Sequence, residues 1–239
     1  MNKPPIGDAE GKKDEVERMF DSIAPKYDLI NRILSLGVDQ GWRRRTISLV
    51  NEFDPAAVLD VATGTADLAL QAVEAGCGSV VGVDISEEML AVGRTKIASR
   101  NLQSRITLER GDATNLSAGD ESFDAVMVAF GVRNFENLDA GLREMRRVLR
   151  PGGRLVVLEF SQPESFPMKQ VCSLYYRFVL PKVGGVISGN ANAYKYLPES
   201  VQAFPYGEAF VKRMVEVGYQ DVFSERLTFG VASIYVGHK

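Results

Sequence analysis

The fold of this chain is decided by residues 57–67, which read AVLDVATGTAD. The first five residues include two valines and favour a β-strand, and the next five are small residues typical of a tight turn. Helix formers resume at Leu68, so the order predicts strand, turn and helix. The first N–H groups of such a helix point into a crevice above a parallel sheet, and small side chains let a ligand approach the backbone. The stretch therefore also predicts a binding site.

Composition indicates one globular α/β domain spanning residues 1–239. The chain has 45% apolar and 25% charged residues and a net charge of −3, which is ordinary for a soluble protein and gives no global sign of nucleic-acid binding. Cys77 and Cys172 match no zinc or redox spacing, so we expect free thiols in a reducing cytoplasm and no metal site. We recognise neither a secretory signal nor a run of ~18 apolar residues that would span a membrane.

Strand and helix patterns alternate after residue 57. The predicted strands are Ala57–Val61, Ser79–Asp84, Ile106–Arg110, Phe123–Ala129 and Arg154–Phe160, and the predicted helices between them are Ala66–Ala75, Glu87–Arg100 and Leu138–Leu149. The run 79–84 is almost entirely apolar, as expected of a parallel strand buried on both faces. Pro151-Gly152-Gly153 predicts a turn before the fifth strand. The alternation predicts a Rossmann-like, doubly wound, mostly parallel sheet with helices on both faces.

Other segments flank this pattern. The Gly, Pro and charged residues of 1–13 predict a flexible tail. The spacing of apolar residues in 14–51 predicts a helical preface. Residues 161–205 hold five prolines and are too long for a plain connection, so we expect a substrate-side lid insertion. The remaining expected elements are helices over Asp14–Ala24 and Tyr27–Leu36, a helix that Asp39 caps and that ends near Asn51, a helix over Tyr206–Val217, and a hairpin of Asp221–Thr228 with Val231–Val236 that brings the sheet to seven strands.

Acidic residues follow the second and third strands. Asp84 comes about twenty residues after the first turn, where a carboxylate can accept two hydrogen bonds from a ribose. Asp112 follows the third strand, where it could accept from an adenine amino group. Because the carboxyl ends of parallel strands meet at one sheet edge, the three loops predict a single nucleoside site. A helix cap is the alternative role for Asp84 alone, although Ser86 is itself a good cap.

The first turn lacks the features of a pyrophosphate site. A dinucleotide fingerprint needs G-x-G-x-x-G, whereas residues 62–67 read ATGTAD and hold one glycine, Gly64. Asp67 would repel a phosphate near the helix N-terminus. The turn thus disfavours NAD, FAD and ATP and favours a ligand with a positive centre and no phosphate.

Residues 60–67, 83–84 and 111–113 resemble the class I S-adenosylmethionine methyltransferases. More specific runs are similar to the ubiquinone/menaquinone biosynthesis C-methyltransferases, from about Phe20 to Gly237. These runs are FDSIAPKYD at 20–28 with Asn31, LSLG at 34–37 with Trp42 and Arg43, FGVRN at 130–134, LRPGG at 149–153, YKYLPES at 194–200 and LTFGVA at 227–232. The resemblance implies methylation of a ring carbon of a prenylated quinol, and we favour demethylmenaquinol as the acceptor. The 2-polyprenyl-6-methoxy-1,4-benzoquinol of ubiquinone biosynthesis and a small soluble acceptor stay open.

The same resemblance implies roles for individual residues. The residues that would bind S-adenosylmethionine are Thr65, Asp84, Asp112, Ala113, Gly64 and Asp60. Asp84 would take the ribose hydroxyls, and Asp112 with the Ala113 backbone would meet the adenine. The residues that would surround the acceptor ring as catalytic residues are Tyr27, Arg133 and Asn134. Two positions depart from the family pattern: Ala129 replaces a serine of some relatives, and Ala66 replaces a common glycine.

The ring proton has no histidine to receive it near these motifs. The only histidine is His238, next to the C-terminus, although histidine is the commonest general base. Arginine is nearly always protonated, so we expect Arg133 to stabilise a phenolate or to hold a water that takes the proton. The alternatives are a surface salt bridge for Arg133 and a packing role for Tyr27.

A quinol dissolved in the membrane is the expected partner. Met168–Leu180 has apolar residues at helical spacing, with Lys169, Arg177 and Lys182 nearby. This pattern favours peripheral membrane contact through 166–182, at the inner face of the membrane, and a lid helix packed over the active site is the alternative. We expect no nucleic-acid partner and leave a homodimer open. A non-enzymatic binding module is the alternative from another class, against which the acidic residues and Arg133 argue.

Overall fold

A seven-stranded sheet forms the centre of the computed structural model, which describes residues 11–175, 178 and 191–239, with the backbone alone for 191–195. In chain order the strands are β1 Ala57–Val61, β2 Ser79–Asp84, β3 Ile106–Arg110, β4 Phe123–Ala129, β5 Leu149–Phe160, β6 Gln220–Leu227 and β7 Ala232–His238. Across the sheet they run β3-β2-β1-β4-β5-β7-β6, and β7 is antiparallel to both of its neighbours. The predicted Rossmann-like, mostly parallel sheet is confirmed.

Helices precede the sheet, alternate with its strands and cover both of its faces. They are α1 Lys12–Ile23, α2 Tyr27–Leu34, α3 Asp39–Asn51, α4 Asp67–Glu74, α5 Glu87–Ser99, α6 Leu138–Val148, α7 Met168–Leu174, α8 Ala191–Ala203 and α9 Glu208–Val217. Pro25 interrupts the preface as expected, in a single 3-10 turn over Ala24–Lys26 between α1 and α2.

Neighbouring residues of β1 belong to two different cores. Val58 packs with side chains of α3, α4 and α5, whereas Leu59 packs with side chains of α6 and α9, and both are fully buried. Successive side chains of a strand point to opposite faces, so the central strands are apolar on both sides. A third cluster joins α1 and α2 to Met89 and Tyr196.

The binding crevice follows from the strand order. From β1 the sheet continues through β2 to β3 on one side and through β4 to β5 on the other, and a crevice opens at the carboxyl ends where the direction of winding reverses. Val61 lies beside Val83, and Asp84 lies beside Arg110. The loops that follow β1, β2 and β3 therefore start at one sheet edge.

The predicted tail is too long at its C-terminal end. Residues 1–10 lie outside the described part of the chain, but Lys12 and Lys13 begin α1. Lys12 is only 1% exposed, and its ammonium group donates to the carbonyl oxygens of Arg133, at 2.9 Å, and Phe135, at 2.8 Å. An ammonium is buried only when such acceptors satisfy it, and a tertiary contact of this kind cannot be read from local composition.

Two further predictions were wrong in detail. Asp39 is the first residue of α3 rather than its cap. Its carboxylate accepts from the Ser35 hydroxyl at 2.5 Å and caps no backbone N–H of the helix. Residues 151–153 lie within β5 rather than before it: Phe123 pairs with Leu149, whereas Ala125 pairs with Arg154. The extra residues form a bulge, in which Gly152 has φ 76°.

The insertion contributes α7 and α8. The helix predicted over 168–180 is α-helical over Met168–Leu174 and π-helical at Tyr175 and Phe178, and Arg177, Val179 and Lys182 lie outside the described residues. The final hairpin is confirmed, with a 3-10 turn at Thr228–Gly230 between its strands. Within residues 11–175, 178 and 191–239, no helix has the length and apolar character needed to cross a membrane.

Candidate active site

Two cavities meet at the carboxyl edge of the sheet. The first, about 80 Å³, is lined by the loops after β1 to β4 and by α1, and we name it the donor cavity. The second, about 260 Å³, is lined by α1 to α3, the 3-10 turn at Val132–Asn134, the insertion and the final hairpin turn, and we name it the acceptor cavity. Phe20, Tyr27 and Phe130 line both cavities. A group bound in one cavity would therefore lie next to a group bound in the other.

The first turn exposes its backbone to the donor cavity. Ala62, Gly64 and Ala66 all have left-handed φ angles of 54°, 56° and 64°, and Ala62 and Gly64 line the cavity. A Cβ atom built at Gly64 would meet no atom within 4 Å, so the space in front of this glycine is open. A ligand can approach the backbone closely here, as the run of small residues predicts.

Asp84 is held rigidly at the end of β2. One carboxylate oxygen accepts from the Gly64 N–H at 2.8 Å and the other accepts from the Ser86 N–H at 2.9 Å. Burial raises the pKa of Asp84 to about 6, although these backbone donors act to lower it. Ser86, not Asp84, caps α5, since its hydroxyl accepts from the Met89 N–H. The carboxylate keeps further lone pairs for hydroxyl donors of a ligand.

Asp112 and Ala113 lie on the opposite wall of the donor cavity. Asp112 accepts from the backbone and hydroxyl of Thr114, both at 2.8 Å, and forms a 2.8 Å salt bridge with Lys13 of α1. Burial would raise the pKa of Asp112, but the hydrogen bonds from Lys13 and Thr114 outweigh it and the pKa is lowered. Helix α1 thus closes this side of the cavity over an ionised carboxylate.

These residues fit S-adenosylmethionine. The cavity combines an open glycine backbone with the oriented carboxylate of Asp84 and the second carboxylate of Asp112. Ala129 lines the cavity and offers no side-chain hydrogen bond. Gly64, Asp84, Asp112 and Ala113 are therefore brought together.

Two of the residues predicted to bind the cofactor do not line the cavity. Asp60 is buried beneath the turn, where it accepts from the Thr63 hydroxyl at 2.6 Å, and burial raises its pKa to about 7. The Thr65 hydroxyl donates to Asp28 of α2 at 2.6 Å and accepts from Lys96 of α5. Both side chains hold the shape of the turn.

The argument that Asp67 repels phosphate is weakened by its surroundings. The Lys96 ammonium forms salt bridges with both Asp67 and Asp28. Asp67 is therefore partly neutralised, and the absence of a glycine-rich fingerprint remains the stronger reason against a pyrophosphate ligand.

The acceptor cavity is apolar apart from two buried ion pairs. Its wall includes Trp42, Phe130 and Phe160, and the last two rings pack with centroids 4.5 Å apart. Arg133 lines the cavity and forms a 2.8 Å salt bridge with Glu159, with side-chain exposures of 7% and 0%. Its guanidinium also donates to the Phe130 carbonyl and lies over the Phe160 ring, 5.4 Å from the centroid. Arg133 is thus a buried group, and the alternative of a surface salt bridge is excluded.

Tyr27 and Asn134 lie where the two cavities meet. Tyr27 lines both, and Asn134 lines the donor cavity while its side-chain oxygen accepts from the Tyr196 hydroxyl at 3.2 Å. Burial raises the pKa of Tyr27, and it raises that of Tyr196 to about 12. Both phenols keep their protons at neutral pH and can act as hydrogen-bond donors.

Sequence reasoning missed several polar residues of the site. Glu159 interrupts the apolar run 155–158 at the end of β5, and a charge inside a buried strand is a signal that could have identified it. Arg43 and Tyr196 belong to the runs that carry the family resemblance but were given no role, and Asp39 and Arg43 have the i, i+4 spacing of a helical ion pair. Lys12 carries no local signal. His238 lies at the other end of β5, beside Arg154.

Comparison with known proteins agrees with this geometry. Residues 8–239 match the family model described as the ubiE/COQ5 methyltransferase family. A demethylmenaquinone methyltransferase of Bacteroides fragilis is 48% identical over 96% of this chain and 95% of its own length. A ubiquinone/menaquinone biosynthesis C-methyltransferase of Geobacter sulfurreducens is 46% identical over 95% of this chain and 90% of its own.

Solved structures share the fold at much lower identity. A SAM-dependent methyltransferase of Thermotoga maritima, described as a possible histamine N-methyltransferase, superposes with a TM-score of 0.64. The two sequences are 19% identical, and the superposition covers 93% of this chain and 99% of the Thermotoga chain. At this identity the likeness concerns the fold alone.

Proposed function

The chain belongs to the ubiE/COQ5 methyltransferase family, and from this premise we propose that it methylates a ring carbon of demethylmenaquinol with S-adenosylmethionine as the donor. The observation that carries the proposal is the contact between the two cavities at Tyr27 and Phe130. One cavity offers carboxylates and open backbone for a nucleoside, and the other offers aromatic walls and a buried cation for an electron-rich ring.

The donor cavity would hold the cofactor through Gly64, Asp84, Asp112 and the Ala113 backbone. When bound, S-adenosylmethionine supplies an electrophilic methyl group on a sulfonium centre. The residues of this chain orient it: the backbone N–H groups of Gly64 and Ser86 fix the Asp84 carboxylate in place before binding. Such positioning supplies much of the rate of a transfer that needs in-line alignment.

The acceptor cavity would activate the ring by favouring its ionised form. A quinol carbon is a weak nucleophile, and loss of a hydroxyl proton raises its electron density. Arg133 is a buried donor that is always charged, so it would stabilise the phenolate that develops. The ring carbon would then bond to the methyl group as the sulfonium–methyl bond breaks and leaves neutral S-adenosylhomocysteine, and the proton on that carbon would leave to solvent water. Tyr27, which keeps its own proton, would orient the ring by donating a hydrogen bond, while the Tyr196 hydroxyl, which donates to Asn134, would hold that amide in place.

The experiment that tests the function uses the purified protein with S-adenosylmethionine labelled in its methyl group. It is incubated anaerobically with reduced demethylmenaquinone and, separately, with the reduced benzoquinone precursor, since some relatives are named for both quinone pathways. We expect label in the naphthoquinol product. Label in the benzoquinol alone would assign the other acceptor. Binding of the cofactor without turnover on either quinol would refute the proposed function.

A prenylated acceptor also requires access from a bilayer. Exposed apolar side chains lie in or beside the segments that line the acceptor cavity. Leu36, which is 85% exposed, lines it directly, Val171 and Leu174 flank Cys172, and Phe229 follows Thr228. We propose that these residues lie against the membrane surface while the lipid tail reaches the cavity between them.

A further inference from the structure

Arg43 of α3 is a second buried cation in the acceptor cavity. The residue is 9% exposed, and its guanidinium lies over the Phe130 ring, 5.6 Å from the centroid. Its Nε atom is buried and has no hydrogen-bond partner among the described residues. A guanidinium in this position carries unused donors next to the wall that separates the two cavities.

The anion nearest to Arg43 does not satisfy it. Asp39 lies 3.6 Å from Nε, which is longer than a hydrogen bond. The Asp39 carboxylate accepts instead from the Ser35 hydroxyl at 2.5 Å and the Gln40 amide at 3.1 Å. Asp39 therefore balances the charge of Arg43 without occupying its donors. The Nε atom of Arg133 is also buried without a hydrogen-bond partner among the described residues, but its Nη1 donates to Glu159 and to the Phe130 carbonyl.

The two guanidiniums lie on different elements and flank the same aromatic wall. Arg43 covers Phe130 and Arg133 covers Phe160, and these two rings pack against each other. The charges of both arginines also act on the Tyr27 hydroxyl. A planar ring that enters the cavity beside Tyr27 would therefore be under the influence of both cations.

We propose that Arg43 is a substrate-binding residue, which donates to one ring oxygen of the acceptor while Arg133 serves the other. The inference rests on the proposed function and adds a substrate class: aromatic rings that carry two oxygens are bound in preference to rings that carry one. Arginine can only donate, so each guanidinium requires an oxygen that accepts, and it binds most tightly to an ionised one.

The test compares two probes that differ by one oxygen, 1,4-dihydroxynaphthalene and 1-naphthol. Their binding is measured by calorimetry under anaerobic conditions, with wild-type protein, Arg43→Met, and Arg44→Met as the matched control on an exposed neighbouring position. We expect wild type and Arg44→Met to bind the diol about tenfold more tightly than the mono-ol, as a charged hydrogen bond predicts. Relative to wild type, Arg43→Met should bind the diol with about tenfold lower affinity. Its affinity for the mono-ol should stay within about twofold of wild type, because the single oxygen can still accept from Arg133.

Two results would overturn the inference while leaving the proposed function intact. One is unchanged diol binding by Arg43→Met, and the other is an equal loss for both probes, which would indicate a packing effect. Absence of binding by both probes to wild type would also overturn the inference, and the labelled-methyl assay then decides separately whether the proposed function stands. Unchanged S-adenosylhomocysteine binding verifies that a variant is folded. If Arg43→Met does not fold, Arg43→Lys serves instead, because it keeps the charge but loses the planar fork and should still weaken the preference for the diol.

Discussion

At the scale of single residues, the two cavities are lined by different charged groups. The donor cavity holds the carboxylates of Asp84 and Asp112, which suit a sulfonium nucleoside. The acceptor cavity holds the guanidiniums of Arg43 and Arg133, which suit an oxyanion. Methyl transfer from a cation to an anion neutralises both partners, and a site shielded from water favours that change.

The raised pKa of Asp84 leads us to expect that cofactor affinity depends on pH. A carboxyl whose pKa is raised to about 6 is ionised above pH 7 and protonated below pH 5, and ribose hydroxyls bind to the ionised form. We expect the Kd of S-adenosylhomocysteine to be flat from pH 7 to 8 and to rise about tenfold per pH unit below pH 6. Calorimetry at several pH values measures this. Asp84→Asn should bind weakly with no such slope, and a flat profile for wild type would contradict the assignment.

Arg133 and Glu159 must be changed together to test the catalytic role. Arg133→Ala would leave the fully buried Glu159 carboxyl without its partner, at a cost of about 3–5 kcal/mol in the free energy of unfolding. We expect the double variant Arg133→Met with Glu159→Gln to recover most of that stability in urea denaturation. We also expect its kcat to fall about 100-fold or more, as for a lost oxyanion donor, with unchanged S-adenosylhomocysteine affinity. A double variant with the wild-type rate would show that Arg133 only packs.

At the scale of elements, α1 connects the two halves of the site. Lys13 reaches Asp112, Asp21 accepts from the Ser86 hydroxyl at 2.6 Å, and Lys12 binds the backbone on either side of Asn134. The apolar side of α1 packs through Val16 and Met19 in the cluster that includes Met89 and Tyr196. The helix therefore stabilises the 3-10 turn that carries Arg133 while it covers the donor cavity.

Replacing Lys12 tests this connection. Lys12→Met removes two charged hydrogen bonds and leaves the carbonyl groups of Arg133 and Phe135 without that donor. We expect a loss of about 2 kcal/mol or more in the free energy of unfolding. We also expect a lower kcat, because the turn that carries Arg133 loses its anchor. Lys13→Met is the matched control, since its side chain is 40% exposed and a surface pair contributes less than about 1 kcal/mol. Equal losses for the two variants in urea denaturation would contradict the anchoring role.

At the scale of the whole molecule, the acceptor cavity is assembled from distant parts of the chain. The preface supplies Tyr27 and Arg43, the insertion supplies Tyr175 and Tyr196, and the final hairpin turn supplies Thr228. The same segments carry the exposed apolar residues proposed to contact the membrane. Access and chemistry would thus be provided by one face of the protein.

Vesicle flotation tests that face. We expect wild type to float with anionic phospholipid vesicles, and Leu36→Asp with Leu174→Asp to lower the partition coefficient roughly tenfold, because each leucine loses its apolar contact. Asp is tolerated at position 36, where φ is 52°. Val215→Asp is the control, since Val215 is apolar and about as exposed as Leu174, at 54% against 57%, but belongs to α9 and does not line the cavity. Equal flotation of all three proteins would contradict membrane contact through this face.

The sequence by itself determined the sheet and the donor side of the site. The bounds of β1 to β4 follow from strand periodicity, and the positions of Gly64, Asp84 and Asp112 follow from the rule that ligands bind at the carboxyl ends of parallel strands. These are local patterns between residues 57 and 129, and each is set by a strand and the turn that follows it. Ala113 was implied by the family resemblance alone.

Only the tertiary structure decided which side chains meet in the acceptor cavity. Glu159 pairs with Arg133 across 26 positions, and Lys12 reaches Phe135 across 123. Thr65 and Asp60 were expected at the ligand and lie behind the turn instead. A buried charge takes its partner from whichever element packs beside it, and that neighbour is fixed by the packing of helices on the sheet, which no spacing along the chain records.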